Sequence, residues 1–360
     1  MLEIYCSGTP YEIGLIHGTV AKSKIQSSLS CYSALFVETA GLDWSRAKAI
    51  ALQFGPSISS KWPSYLEEMR GIADGAGVSL ASILALNVRT EIAIGLMGEG
   101  MSMDGCTTLS WHTEKESWLA QNWDWMVEQK SNLVNVTIEQ PGKPTIKMIT
   151  EAGIIGKIGL NENGVGVTLN AVRSKGMDVS RLPVHLGLRM ALESRSAKEA
   201  EKRLRGFGIA SASSIGIADA QEGGFALECS YKGFGRVERD NEGKMFHSNH
   251  FLVEHEGVVD TRKPTDTLQR ITRIEELTGR IKGDVTFEKL LNVFKDEKDY
   301  PASICRAVGG PSWGASIFNI IMELKSRRAL VNLGRPIEPE ETFWLEFQPN
   351  LINDLVQNVG

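Results

Sequence analysis

Apolar positions recur at helical spacing through the first part of the chain and at strand spacing through most of the rest. From Tyr11 to about Phe36 they keep a helical period after Thr9-Pro10, a natural helix start. Trp62 to Ala73 reads as a second amphipathic helix, closed by Gly75 and Gly77, and Ser79 can cap a third that carries Leu80, Ile83, Leu84, Leu86, Val88 and Ile92. Beyond Cys106 the pattern changes to short strands over 107–112, 117–123, 134–140, 145–150, 154–160 and 165–172, punctuated by turns such as Asn163-Gly164. A helical pair follows at 183–192 and 197–205, and strands resume from Ser211 through Asn249. Two more helices are expected at 265–277 and 287–294, then closing strands at 316–324, 329–333 and 342–347. Strands in two batches, each followed by helices, predict an α+β fold: a four-layer α/β/β/α sandwich.

The change of pattern falls on Asp104-Gly105-Cys106-Thr107-Thr108. Free cysteine usually behaves as a small buried hydrophobe, and Cys6, Cys31, Cys229 and Cys305 take that reading. Cys106 differs by context. The stretch Gly95 to Met103 before it is dotted with glycine and reads as a loop, and a β-prone run follows it. Glycine leaves its carbonyl open to attack by the next side chain. The Cys106 sulfur could therefore attack the Gly105 carbonyl and release a new amino terminus, whose amine would then serve as general base.

Composition narrows the partners. The chain has 360 residues, 42% of them hydrophobic and 23% charged, with a net charge of −5. That balance suits a globular protein and gives no basic surface for nucleic acid. No apolar run is long enough for a membrane helix, and no signal peptide or C-terminal Ser-Lys-Leu type address is visible, so a cytoplasmic location is expected. Five dispersed cysteines do not suggest a disulfide framework.

A cysteine nucleophile needs an orienting group and an oxyanion donor. Asp124, in Gln121-Asn122-Trp123-Asp124, could fix the geometry of the amine and thiol. Asn249, in His247-Ser248-Asn249-His250, offers a preorganised amide donor, typically worth ~3 kcal/mol of barrier. Both also fit ordinary strand-end or turn residues. His247 and His250 have an HxxH spacing, but no acidic or cysteine cluster completes a metal site around them.

The chain resembles the acyl-coenzyme A:6-aminopenicillanic acid acyltransferase family of self-processing N-terminal-nucleophile hydrolases. The shared stretches include Gly8 to Gly14, Arg70 to Ala73, Leu86 to Glu91, Asp104 to Thr108, Gln121 to Asp124, Ile149 to Lys157, Ser248 to His250, Tyr300-Pro301, Ser303 to Arg306 and Phe318 to Ile321. The resemblance implies self-cleavage between Gly105 and Cys106 into a mainly helical segment 1–105 and a β-rich catalytic segment 106–360. These would stay together as a heterodimer and one structural domain. It further implies catalytic roles for Cys106, Asp124 and Asn249, and a substrate pocket including Ser230, Ser312 and, more weakly, Asn170. No cofactor is implied beyond a coenzyme A thioester as co-substrate, with small amides as the other partners. Trp313 stands where the penicillin enzyme carries an arginine, and it would replace a carboxylate-binding group by a flat apolar or cation-binding face. The expected activity is acyl transfer through an acyl-cysteine. Hydrolysis of small N-acyl or aminoacyl amides is the alternative, and a ligand-binding relative without turnover is a reading of another class.

Overall fold

The computed structural model describes residues 1–96, 105–260, 266–310, 312 and 314–347. Ahead of Cys106 lie β1 (Leu2–Ser7), α1 (Pro10–Val20), α2 (Lys22–Ala40), α3 (Trp44–Gln53), α4 (Gly55–Lys61), α5 (Pro63–Ala76), α6 (Leu80–Asn87) and α7 (Arg89–Ala93). After it come β2 (Thr107–His112), β3 (Ser117–Trp125), β4 (Leu133–Glu139), β5 (Ile146–Glu151), β6 (Ile158–Asn161) and β7 (Gly166–Asn170). The helices α8 (Val184–Leu192) and α9 (Ala197–Phe207) precede β8 (Ser213–Asp219), β9 (Gly223–Cys229), β10 (Phe234–Val237) and β11 (Lys244–His247). The chain continues through α10 (Asp266–Gly279) and α11 (Phe287–Phe294) to β12 (Ala315–Glu323), β13 (Arg328–Leu333) and β14 (Glu341–Glu346).

The strands form two sheets, ordered β1-β4-β5-β6-β7-β8-β9-β10 and β11-β2-β3-β12-β13-β14. The sheets face each other where β3 meets β7 and β8, and where β2 meets β9. Helices α8 and α9 cover the first sheet from outside, and α10 and α11 cover the second. This is the four-layer sandwich that the strand and helix batches predict. With a sheet on one side and helices on the other, β3 and β12 are buried at every position, and their polar side chains Gln121, Asn122, Asp124, Ser316 and Asn319 find hydrogen-bond partners inside the fold.

Two expected helices need correction, and two groups of elements went unassigned. The single helix expected over 11–36 is two, α1 and α2, broken at the buried Ala21, whose φ of −96° and ψ of 14° leave the helical well. Glycines set the path of α1 against α5: a Cβ on Gly14 would lie 1.9 Å from the Glu68 carbonyl oxygen, and one on Gly71 would lie 2.1 Å from that of Tyr11. Two backbones in contact fix the direction of α1, so α2 must turn away to pack on α7 and the turn before β4. The helix expected from Ser79 through Ile92 likewise divides into α6 and α7. The sequence analysis assigned nothing to α3 and α4, and α3 buries only Ala47 and Ala51, too narrow a stripe for an amphipathic signal. It also missed β1, which pairs in parallel with β4 and buries Ile4 and Cys6. Among the described residues no helix is long and apolar enough to cross a membrane.

Candidate active site

Cys106 sits immediately before β2, where that strand runs between β11 and β3. Register brings the flanking candidates to the same end of the sheet. Thr108 lies opposite Gln121 on β3 and His247 on β11, so Asn249 lies two residues beyond β11 beside Cys106. Asp124, near the end of β3, faces Ser316 on β12. Antiparallel pairing thus assembles three residues distant in sequence at one corner.

The Cys106 side chain is buried, and its backbone N–H donates to Asn249 Oδ1 at 2.8 Å. Its Sγ lies 3.9 Å from the carbonyl oxygen of Asp124. The Asn249 amide is held from both ends: Nδ2 donates to the Ala171 carbonyl at 3.1 Å, and Oδ1 also accepts from Arg270 Nη2 at 2.8 Å. Thr267 Oγ1 accepts from the Asn249 backbone N–H at 2.8 Å. Arg270, on α10, also donates through Nη1 to the Cys106 carbonyl and to Thr107 Oγ1. One guanidinium therefore ties together the Cys106 backbone and the amide beside it.

Asp124 is fully buried, and burial is what pushes its carboxyl up to about 7, against the pull of Arg306 and Arg270. Ser316 Oγ donates to its Oδ1 at 2.6 Å. Its Oδ2 has no hydrogen bond and faces Arg306 Nε at 3.4 Å. Arg306 continues to Ser312 Oγ at 2.8 Å and to the Asp266 carboxylate. Gly105 lies against this guanidinium: a Cβ there would come within 2.0 Å of Arg306 Nε. The Arg306 guanidinium thus links a carboxyl near neutrality to Gly105, next to the Cys106 thiol, a combination suited to nucleophilic attack with proton transfer.

A cavity of about 20 Å³ opens beside Cys106, with room for about one water. Trp123, Trp125, Ile94 and Leu169 give it apolar walls, and Arg89 and Ser213 bring polar groups to it. Behind it, Glu151 accepts from Lys157 Nζ at 2.8 Å, from Arg89 Nη2 at 3.2 Å and from the Tyr32 hydroxyl. Burial lowers Lys157 to about 7, and Arg89 pushes the same way. Although burial opposes it, Arg89 and Lys157 together hold Glu151 down at about 2.

The other sequence candidates lie around this corner. Asn170 bridges the sheets, accepting from Thr108 Oγ1 at 2.7 Å and from Gln121 Nε2 at 3.3 Å. Ser312 joins the corner through Arg306. Ser230 sits in the turn between β9 and β10, where its Oγ accepts from the Lys232 and Gly233 backbone N–H groups. His247 and His250 do not converge, because His247 turns to Glu228 at 2.8 Å and His250 to Thr267 at 2.9 Å. Asp104 and Trp313 lie outside the described residues. Sequence reasoning gave no role to Arg270, Arg306, Arg89, Glu151 or Lys157. All but Arg270 fall in stretches already noted for family resemblance, whereas Arg270 is one of two arginines on a surface-patterned helix.

The family described as acyl-coenzyme A:6-aminopenicillanic acid acyl-transferase matches residues 111–338. The acyl-coenzyme A:6-aminopenicillanic-acid-acyltransferase 40 kDa form of Emericella nidulans is 40% identical over 350 residues, 96% of each chain. Acid ceramidase of Rattus norvegicus is 29% identical over 116 residues, 29% of this chain and 28% of that one. A mutant conjugated bile acid hydrolase from Clostridium perfringens superposes with a TM-score of 0.51 at 12% identity, covering 69% of this chain and 94% of that one. At that identity the likeness is one of fold, the sandwich of the N-terminal-nucleophile hydrolases. This chain is an enzyme and belongs to the acyl-coenzyme A:6-aminopenicillanic acid acyl-transferase family.

Proposed function

We propose that the chain cuts itself between Gly105 and Cys106 and then transfers acyl groups through an acyl-cysteine. The placement of Asp124, Arg306, Asn249 and Arg270 around the Gly105–Cys106 peptide is the observation that supports this most. In the first stage Cys106 Sγ adds to the Gly105 carbonyl carbon, and the C–N bond breaks as the nitrogen gains a proton. Water then hydrolyses the thioester, leaving a Gly105 carboxylate, a free thiol and a Cys106 α-amine. The segments 1–105 and 106–360 remain together as a heterodimer, since both contribute to one apolar core.

In turnover the thiol attacks an acyl-coenzyme A thioester or an amide, with its proton passing to the α-amine. The oxyanion is held by the Asn249 amide and a backbone N–H, and the coenzyme A thiol or the amine departs. A second amine takes the acyl group, and β-lactam-like or other secondary-metabolite amines are the substrates that the family relationship favours. Hydrolysis is the second reading, favoured by a cavity beside Cys106 with room for one water.

Intact mass with N-terminal sequencing tests the first stage: a fragment beginning Cys106-Thr107-Thr108-Leu109 is expected, and a chain that stays whole on incubation refutes it. Incubating the cut protein with an acyl-coenzyme A and a set of amines separates transfer from hydrolysis by the product mass.

A further inference from the structure

His247, left over when the HxxH spacing yields no metal site, is fully buried at the end of β11, and both of its ring nitrogens face oxygens. Nδ1 lies 2.9 Å from the Ser248 carbonyl oxygen, and Nε2 lies 2.8 Å from Glu228 Oε1. A carbonyl oxygen can only accept, and so can an ionised carboxylate. A neutral imidazole has one N–H and one bare nitrogen, so it would turn a lone pair on one of these partners. An imidazolium satisfies both. A proton on Glu228 instead is disfavoured. Although burial pushes its carboxyl up, the hydrogen bonds from His247 and His255 hold it down at about 2. It also accepts from the Leu252 N–H at 2.6 Å and the Val253 N–H at 3.3 Å. The other charged or titratable groups around His247 are engaged elsewhere. His255 Nε2 lies 3.1 Å from Glu228 Oε2, where one N–H is enough, and His250 is held against Thr267. From α10, Arg270 turns to Cys106, Thr107 and Asn249, and Asp266 to Arg306. Next to Glu228 on β9, burial pushes the Cys229 thiol up and keeps it neutral. On the other flank β2 sets Thr108 opposite His247, with Cys106 two residues before it and His112 at the strand's far end.

We infer that His247 carries a proton on both ring nitrogens and, paired with Glu228, is a positioning residue for the Asn249 amide. The Ser248–Asn249 peptide is pinned on both edges: His247 donates to its carbonyl oxygen, and its N–H donates to Thr267 Oγ1 at 2.8 Å. Glu228 fixes the same stretch three and four residues further on, through the N–H groups of Leu252 and Val253. A neutral His247 releases either Ser248 or Glu228, and the peptide that carries Asn249 is then held from one edge. The paired ions are buried, which makes their hydrogen bonds strong and a missing one costly. This rests on Asn249 as the oxyanion donor of the proposed function.

Nitrogen-15 NMR of the labelled full chain near neutral pH, assigned from the backbone, reads the ring protonation directly. Protons on both nitrogens of His247 are expected, and one bare nitrogen overturns the inference. Release of coenzyme A from hexanoyl-coenzyme A reads the positioning. His247→Gln keeps an N–H for Glu228 but loses the ring's hold on Ser248, so kcat should fall about tenfold with KM within about twofold of the parent. A parental kcat, or a loss confined to KM, overturns the positioning role. Should that variant not fold, His247→Asn, which keeps an N–H for Ser248 and loses the one for Glu228, takes its place with the same expectation. If the parent releases no coenzyme A, the proposed function fails on this probe, and the Asn249 side-chain amide signal is compared between parent and variant. A displaced or broadened signal upholds the positioning role; an unchanged one overturns it.

Discussion

Gly105→Ala is a one-methyl perturbation with a large expected effect. The added Cβ would lie 2.0 Å from Arg306 Nε, 2.5 Å from Cζ and 2.7 Å from Nη2. The end of a free arginine could swing aside cheaply, but this one is buried and held on three sides. It faces Asp124 at 3.4 Å, donates to Ser312 at 2.8 Å and pairs with Asp266. Moving it by the ångström or more that the methyl requires weakens those contacts, and overpacking of this kind costs about 1–3 kcal/mol. Complete loss of the buried ion pair would cost about 3–5 kcal/mol, so the methyl lies below that ceiling. The kinetic effect should be larger than the thermodynamic one. Arg306 lies against Gly105 and is held by Asp124 at the bond of the proposed self-cleavage, and a misplacement of about 1 Å at a reacting centre can cost ~100-fold in rate. The assay is a time course of intact mass on freshly folded protein, with a urea melt beside it. Cutting at the parental rate with an unchanged melt would refute the reasoning, because Arg306 would then be free to move.

Three further outcomes are expected. Burial holds Asp124 near 7, above the ~3.9 of an unfolded aspartate, so the folded chain binds the extra proton and loses stability as pH rises between those values. Asp124→Asn should remove this contribution, making urea stability fall less steeply between about pH 5 and 7, by up to ~2–3 kcal/mol; parallel slopes would contradict the assignment. Arg270→Met removes the donor shared by the Cys106 carbonyl, Thr107 and Asn249, and should lower kcat about 10–100-fold with a smaller change in KM; a KM effect alone would argue against a positioning role. Glu228 accepts from His247, His255 and the Leu252 N–H, so Glu228→Gln should destabilise by about 1–3 kcal/mol and slow turnover by loosening the Asn249 loop; a urea melt and kcat check both, and parental values would refute it.

The sheets were legible because their strands carry a strong local signal: the limits expected for β2 match the observed ones, and Asn163-Gly164 forms a turn with Gly164 at φ 77°. Elements whose existence depends on tertiary contact were not. The break at Ala21 follows from the backbone crossing of α1 and α5, and the pairing of β1 with β4 joins the chain start to residues more than a hundred positions on. The site divides in the same way. Cys106, Asp124 and Asn249 were nameable because each belongs to a short recognisable stretch. Arg270 was not, since an arginine on an amphipathic helix normally faces water, and only the packing of α10 over β11 turns it inward. Ser230 illustrates the reverse: a serine in a suggestive stretch spends its hydroxyl on its own turn.

The proposed self-cleavage would ask one constellation at the Gly105–Cys106 junction to serve two proton states. In the continuous chain the Cys106 nitrogen is an amide that donates to Asn249 Oδ1, so it has no basic lone pair to take the thiol's proton. The proposed first attack therefore needs another acceptor, and the buried Asp124 carboxyl, held near 7 and linked to Gly105 through Arg306, would meet the requirement that a base titrate near working pH. In the proposed product the same nitrogen would be an amine with a reference pKa near 7.7–8.0, and the base for turnover would lie on Cys106 itself. Asp124 then has a different task, to hold Arg306 and Ser316 in place at the corner. The Asn249 side chain bears on both stages: its oxygen accepts from the Cys106 nitrogen and from Arg270, while its Nδ2, the oxyanion donor of the proposed function, donates to the carbonyl of Ala171, which lines the cavity beside Cys106. A carboxyl buried with only partial compensation is costly to the fold, and the need for a base before the amine exists gives a physical reason for tolerating that cost.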